Sequence, residues 1–160
     1  MKADELKKFL DEAESGPRKL AAAVSGLSDK TLRYKPSPDK WSILEIIGHF
    51  ADVELIYSYR LRQMLADKNP VIAPIDQDEW ARHLGYSEAA PAELVAQYGL
   101  NRHHNIRLLR RIGVDDLKKS AYHPEKKGNV HVEDLVERLA AHDSSHLAQI
   151  QRLKQQAGKK

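Results

Sequence analysis

Apolar residues recur in steps of three and four along most of the chain, which is the spacing that places them on one face of an α-helix. In the first segment this stripe runs from Leu6 to Leu27. The dipeptide Gly16-Pro17 interrupts it, and because proline lacks the amide hydrogen that a helix needs, we expect a kink or a split there. The proline-rich stretch 35–39 then predicts a connector.

A second long helix is predicted to begin at Ser42, with Ser42 as N-cap and Glu45 as its capping-box partner three residues later. The apolar stripe continues to Leu65, so we expect a helix of about 24 residues. The stretch from Asp67 to Ser87 contains prolines and an acidic run, which predict a connector without regular structure. Connectors of that length are uncommon and often functional, for example as lids.

Pro91 suits the first turn of a third helix, and Gly113 suits its end. The residues from Val114 to His131 predict a loop with a short hairpin around 123–130. A fourth helix is expected from Val132 to about Gln156. Four long amphipathic helices without interleaved strands predict an all-α fold, a four-helix bundle, formed by residues 1–160 as a single domain.

The composition narrows the class of protein. Charged residues make up 31% and apolar residues 41% of the chain, which is ordinary for a globular protein. The absence of cysteine excludes disulfides, thiolate nucleophiles and cysteine-based zinc sites, and it fits a reducing compartment. No apolar signal segment follows Met1, and no run approaches the ~18 apolar residues of a membrane span. We therefore expect a cytoplasmic protein without membrane contact.

The net charge of +3 comes from scattered basic residues, among them Lys118-Lys119, Lys126-Lys127 and the tail Lys159-Lys160. Nucleic-acid binding would require a continuous basic face with aromatic residues among the charges. The sequence has neither, so we expect no nucleic-acid partner and interpret these residues as solvated charges.

Two histidines lie within the apolar stripe of the fourth helix. The stripe passes through Leu139, His142, His146 and Ile150 in steps of three and four. Residues four apart on a helix have Cβ atoms about 5–6 Å apart, so the two imidazoles can converge on one ion. The H-x-x-x-H spacing alone is a weak motif, because many pairs of histidines have it by chance.

His49 is the third candidate ligand, because it lies in the middle of the second helix at the edge of its apolar stripe. Helical bundles build metal sites from side chains on facing helices. Alternatively, the three histidines are buried and hydrogen-bonded to neighbours, which would require partners for six ring nitrogens. A metal ion satisfies three of these directly, and acceptors such as Asp143 would orient the others. Three imidazoles leave an open position for substrate.

The other histidines are weaker candidates. His103 and His104 are adjacent on the third helix, so at most one faces the core. His83, His123 and His131 fall in loops or at a helix start. His123 and His131 rank ahead of His83, because their loop leads into the fourth helix.

Two segments resemble a known family. The segment Trp41-Ser42-Ile43-Leu44-Glu45-Ile46-Ile47-Gly48-His49 is similar to the W-S-x-x-E-x-x-x-H signature of DinB/YfiT-like proteins. The segment from His142 to Ile150 resembles the H-D-x-x-H-x-x-Q-I helix of the same family. Many relatives have a second histidine just before the last ligand, where this chain has Ser145. That position lies off the apolar stripe of the fourth helix, so we expect the departure to affect substrate contacts more than metal binding.

The resemblance implies a four-helix bundle, commonly a homodimer, with His49, His142 and His146 as ligands of a divalent ion. Zinc or nickel is favoured, with iron or manganese as alternatives. It also implies a small-molecule substrate and an S-transferase or isomerase that uses a low-molecular-weight thiol. The alternatives are a metal-dependent hydrolase at the same site and a metal-binding or structural bundle without turnover.

Three arginines of the third helix are possible partners for a cosubstrate carboxylate, namely Arg102, Arg107 and Arg110. We favour the alternative that they are surface charges. Trp80, in the connector, is expected to help shape the substrate pocket.

Overall fold

The computed structural model describes residues 1–158, apart from the side chain of Ala140. The tail Lys159-Lys160, which the sequence analysis interprets as solvated charge, lies outside the described residues. The helices are α1 Ala3–Glu14, α2 Gly16–Val24, α3 Asp29–Leu32, α4 Ile43–Ala66, α5 Gln77–His83, α6 Pro91–Leu109 and α7 Val132–Ala157. Two strands, β1 Ser120–His123 and β2 Gly128–His131, form a hairpin. The four long helical segments are α1 with α2, α4, α6 and α7, and the predicted all-α four-helix bundle is confirmed.

The first helical segment splits as the sequence predicts. Helix α1 ends at Glu14, and α2 starts at Gly16 with Pro17 in its first turn. Gly16 packs against α7 so closely that a Cβ atom there would lie 2.2 Å from Asp143 Oδ2 and 2.5 Å from the Tyr98 hydroxyl. The split therefore lets the backbone approach buried polar groups at a position where a side chain has no room.

The connector between α4 and α6 differs from the prediction, because part of it is helical. Helix α5 covers Gln77–His83, and a 3-10 turn covers Tyr86–Glu88. Asp76 caps α5, since its Oδ1 accepts hydrogen bonds from the amides of Asp78 (3.1 Å) and Glu79 (3.0 Å). The capping bonds and the partly buried apolar side chains of this segment stabilise a helix within the connector.

The predicted loop between α6 and α7 contains the expected hairpin, which is longer than expected: it begins at Ser120 and ends at His131. The strands pair antiparallel from Ser120 opposite His131 to His123 opposite Gly128. An additional bridge joins Val71 to Tyr122, so the start of the connector lies beside the hairpin.

Two apolar clusters form the core. One contains residues of α1, the second half of α4, α6, the hairpin and the start of α7. The other contains residues of α2, the first half of α4, Tyr98 and the end of α7. Buried polar residues lie between the two clusters on three of the long helices, Glu54 on α4, Arg102 on α6 and Asp143 on α7. His142, a candidate ligand, directly precedes Asp143 of this polar layer.

No helix in residues 1–158 combines the length and apolar character that crossing a membrane requires.

Candidate metal centre

The position of His49 follows from the start of α4. Ser42 Oγ accepts a hydrogen bond from the Glu45 amide at 3.2 Å, and Glu45 Oε2 accepts one from the Ser42 amide at 2.7 Å. Lys35 donates to the other carboxylate oxygen of Glu45 at 2.6 Å. This predicted capping box fixes the first turn, and one turn later His49 enters the bundle with 3% of its surface exposed.

The structure brings the three candidate histidines together. His49 Nε2 and His142 Nε2 are 2.9 Å apart. The ring centroid of His146 lies 4.8 Å from that of His49 and 4.5 Å from that of His142. One ring nitrogen from each histidine lies within 4.8 Å of the other two, so the group has the size of a metal site.

This donor set fits a single divalent ion. Two nitrogens that each lie about 2.0–2.1 Å from one ion, at angles of about 90–110°, are roughly 2.9–3.4 Å apart. The observed 2.9 Å between His49 Nε2 and His142 Nε2 lies at the short end of that interval. Three imidazoles would leave at least one coordination position open to a substrate or water.

Burial favours the neutral form of the His49 and His146 rings. Burial first, and then the charges of His142 and His146, lower the pKa of His49 to about 3. Burial and the charge of His142 also lower the pKa of His146. Neutral imidazole is the form that binds metal ions, so these two rings are ready to bind near neutral pH.

His146 is oriented by Gln149, a residue to which the sequence analysis assigned no role. Nδ1 of His146 and Oε1 of Gln149 are 2.9 Å apart. The signal was present in the sequence, since Gln149 lies three residues after His146, where side chains of a helix meet. With Nδ1 occupied, Nε2 is the nitrogen of His146 that remains for an ion.

Asp143 does not accept a hydrogen bond from a histidine ring, contrary to expectation. Its Oδ1 lies 3.8 Å from His142 Nδ1, beyond hydrogen-bond distance. The carboxylate instead accepts from Arg102 Nη1 at 2.7 Å and from the Tyr98 hydroxyl at 2.8 Å. Burial raises the pKa of Asp143, but His142, Arg102 and Tyr98 together outweigh it, so the pKa is lowered and the group stays ionised beside His142.

The prediction that Arg102 is a surface charge is wrong. It is 2% exposed and donates from Nε to Glu54 Oε2 at 2.9 Å and from Nη1 to the Ala13 carbonyl at 2.7 Å. Asn105 donates to the other oxygen of Glu54 at 2.7 Å. The ion pairs that hold Arg102 leave it unavailable to a cosubstrate.

Arg107 and Arg110 are exposed, in agreement with the prediction for these two residues. Arg110 pairs with Asp11 at 2.9 Å and Glu14 at 2.7 Å, which joins α6 to α1 at the surface.

An open cavity of about 300 Å³ adjoins His146. Trp41 forms one wall, with its ring nearly parallel to that of His146 at 6.2 Å between centroids. The residues that line the cavity are Asp39, Lys40, Trp41, Gln77, Asp78, His146 and Gln149. Trp80 is not among these residues, so the expectation for Trp80 is corrected: α5 contributes Gln77 and Asp78 instead.

Tyr86 anchors the connector that carries these residues. Its hydroxyl donates to Asp52 Oδ2 at 2.5 Å. Its ring packs on the backbone of Gly48, where a Cβ atom would lie 2.4 Å from the ring. The connector is thereby held against α4 next to His49.

The five remaining histidines lie outside the three-histidine group. His83, His103 and His104 are exposed, so neither histidine of the adjacent pair faces the core. His131 precedes α7, where its amide donates to Asp134 Oδ2 at 2.8 Å. His123 is buried at the end of β1.

Comparison with known proteins identifies the family. Residues 12–150 match the DinB superfamily. The chain belongs to the DinB superfamily. A relative within the match, from Oceanobacillus iheyensis, is named "Putative metal-dependent hydrolase OB0782" and is 28% identical over 145 residues, which are 91% of this chain and 83% of the relative. "Putative metal-dependent hydrolase YfiT" from Bacillus subtilis is 25% identical over 151 residues, 94% of this chain and 85% of that protein.

A solved structure of Bacillus subtilis YfiT has the same fold. It superposes with a TM-score of 0.92 at 24% identity, and the match covers 99% of this chain and 90% of that chain. It is described as a probable metal-dependent hydrolase with an unusual four-helix bundle topology. The predicted membership of the DinB/YfiT-like group is therefore confirmed.

Proposed function

We propose that His49, His142 and His146 bind one divalent metal ion, and that this DinB superfamily member hydrolyses a small molecule bound in the adjoining cavity. The observation that carries the proposal is the convergence of three imidazoles, with His49 Nε2 and His142 Nε2 2.9 Å apart, beside an open cavity. The names of the relatives as metal-dependent hydrolases support the reaction class.

The residues of the chain divide the work in this proposal. A divalent ion held by three imidazoles supplies a Lewis acid. Gln149 holds the ring of His146, and the carboxylate of Asp143 lies 3.8 Å from Nδ1 of His142 on the side away from the ion. Trp41 shields one side of the site from water and offers a flat apolar surface to the substrate. The ion in this proposal is zinc or nickel, with iron or manganese as alternatives.

Thiol transfer at the same site is the second candidate function. The chain contains no cysteine, so any thiolate at the ion has to come from a bound cosubstrate. The cavity of about 300 Å³ is open and polar, as a small charged thiol requires. We also propose that the protein acts as a homodimer in the cytoplasm. Thiol transfer and this assembly both rest on the family resemblance.

One experiment separates the two reactions. The protein is stripped with chelator, reloaded with zinc or nickel, and assayed with a panel of esters, amides and lactones. In parallel it is assayed for consumption of bacillithiol, mycothiol or glutathione with monochlorobimane. We expect metal-dependent hydrolysis that is lost in His146→Ala and retained in His104→Ala, a matched change at an exposed histidine.

Thiol consumption above the level of His146→Ala, without hydrolysis, would contradict the hydrolase proposal and support thiol transfer. If the loaded protein shows neither activity above the His146→Ala control, both catalytic proposals are contradicted and a bundle without turnover remains.

A further inference from the structure

Gln149 touches both the candidate metal ligands and the cavity. Its Oε1 lies 2.9 Å from Nδ1 of His146, and its side chain forms part of the cavity wall together with Trp41 and Gln77. Among the cavity residues other than His146, it is the one that has a hydrogen bond to a candidate ligand within residues 1–158. It therefore connects the ion to whatever occupies the cavity.

The contact with His146 determines which way the amide of Gln149 points. A histidine that binds an ion through Nε2 carries its hydrogen on Nδ1 and donates it. The amide oxygen of Gln149 has to be the acceptor of that bond, so its NH2 group points away from His146. Within the described part of the chain, this NH2 group has no hydrogen-bond acceptor.

A free amide donor at the edge of an open cavity is suited to bind an oxygen atom of a ligand. We propose that Gln149 acts twice: its carbonyl orients His146, and its NH2 group donates a hydrogen bond to a carbonyl or carboxylate oxygen of the substrate. The substrate is thus a small acyl compound whose oxygen lies next to its metal-binding atom. This inference rests on the proposed metal site and deepens it, since amide donors beside a reacting carbonyl stabilise the developing negative charge.

Other donors at the cavity are less suited to this role. Lys40 is exposed and lies 3.3 Å from the carboxylate of Asp39, so its charge is solvated and paired. Gln77 belongs to α5, on the connector, and has no hydrogen bond to a candidate ligand in the described residues. Gln149 alone combines a fixed orientation with direct attachment to His146.

The test uses the full-length protein loaded with cobalt(II), whose visible spectrum reports ligands at the ion. Two probes are titrated separately, acetohydroxamate and ethanethiol. Both bind as monoanions, but only acetohydroxamate carries a carbonyl oxygen. The change in the ratio of their affinities from one variant to the next therefore separates the hydrogen bond to that oxygen from the general effect of charge.

Gln149→Glu keeps an acceptor for His146 and removes the donor. We expect cobalt affinity to be preserved within about threefold, and the preference for acetohydroxamate over ethanethiol to fall about tenfold. Gln77→Glu introduces the same charge from the other wall and should leave the preference unchanged within about twofold. Gln149→Met removes both functions, so cobalt affinity and the preference should both fall, and it provides the same test if the Glu variant does not fold.

The outcomes distinguish this inference from the proposed function. An unchanged preference in Gln149→Glu or Gln149→Met, with cobalt bound, would overturn the role of Gln149 and leave the metal site intact. Failure of the unsubstituted protein to bind cobalt would overturn the proposed function and this inference with it.

Discussion

Arg102 and Asp143 form a buried two-point ion pair between α6 and α7, with Nη1–Oδ2 at 2.7 Å and Nη2–Oδ1 at 3.1 Å. The same guanidinium binds Glu54 of α4 and the Ala13 carbonyl of α1, so one arginine links α1, α4, α6 and α7. Asp143 directly follows His142 in the chain. The polar layer that separates the two apolar clusters thus holds the backbone of α7 at the position where the candidate ligands begin.

Replacing Arg102 should destabilise the protein strongly. Arg102→Met leaves the carboxylates of Glu54 and Asp143 buried without their counter-charge, which costs about 3–5 kcal/mol. Arg110→Met, which breaks exposed ion pairs on the same helix, should cost at most about 1 kcal/mol. Urea unfolding of both variants measures the difference, and equal losses would contradict the role assigned to the buried pair.

Gly48 should be intolerant of even one added methyl group. In Gly48→Ala the new Cβ would lie 2.4 Å from the Tyr86 ring, so the connector or α4 has to move. We expect a loss of about 1–3 kcal/mol in the free energy of unfolding. In the matched change Gly99→Ala, within α6, the nearest atom is Pro17 Cβ at 3.6 Å. That variant should gain about 0.5–1 kcal/mol from helix propensity, and a loss there as large as at Gly48 would contradict the packing argument.

The metal-free protein should lose stability as the pH falls from neutrality. In the unfolded chain His49 takes up a proton near pH 6.5, whereas in the folded chain its pKa is about 3. Between these values the unfolded state binds more protons, so this stabilising contribution is present above pH 6.5 and is lost on acidification, with a limiting slope of about 1.4 kcal/mol per pH unit.

Urea unfolding in chelator between pH 7 and pH 4.5 measures this slope. His49→Gln should show a shallower decline, because it lacks the buried titrating ring. A decline as steep in the variant as in the unsubstituted protein would show that His49 is not the group responsible.

Ser145 is the position at which this chain departs from the family pattern, and it allows a test of what that departure changes. The residue is exposed on α7, in agreement with its predicted position off the apolar stripe. Ser145→His should therefore leave metal affinity unchanged within about threefold, since the new ring points away from the three-histidine group. Competition titration with a chromophoric chelator measures this affinity, and a gain of tenfold or more would place residue 145 among the ligands.

Much of the fold could be predicted from local patterns. The capping box of Ser42 and Glu45 marked the start of α4, and the apolar stripe marked its length of 24 residues. The apolar stripe of α7 predicted that His142 and His146 point inward together. These features depend on neighbours within one or two turns, which is why a single sequence shows them.

Other features depend on contacts between distant segments. The sequence favours a surface position for Arg102 because most arginines are exposed, although Arg102 lies in step with Tyr98, Asn105 and Leu109, which are buried. Only its partners Glu54 and Asp143, 48 and 41 residues away, make its burial stable. The sequence does not predict the short helix α5, because the prolines before it favour a connector, although Asp76 is a residue type that caps helices.

The central claim is that His49, His142 and His146 bind one metal ion together, and metal content tests it most directly. The protein and its variants are stripped with chelator, incubated with zinc or nickel, and dialysed. Their metal content is then measured by inductively coupled plasma emission spectrometry. We expect about one ion per chain in the unsubstituted protein and in His104→Ala, and far less in His49→Ala and His146→Ala. A substoichiometric metal content in the unsubstituted protein that His49→Ala does not lower further would contradict the claim.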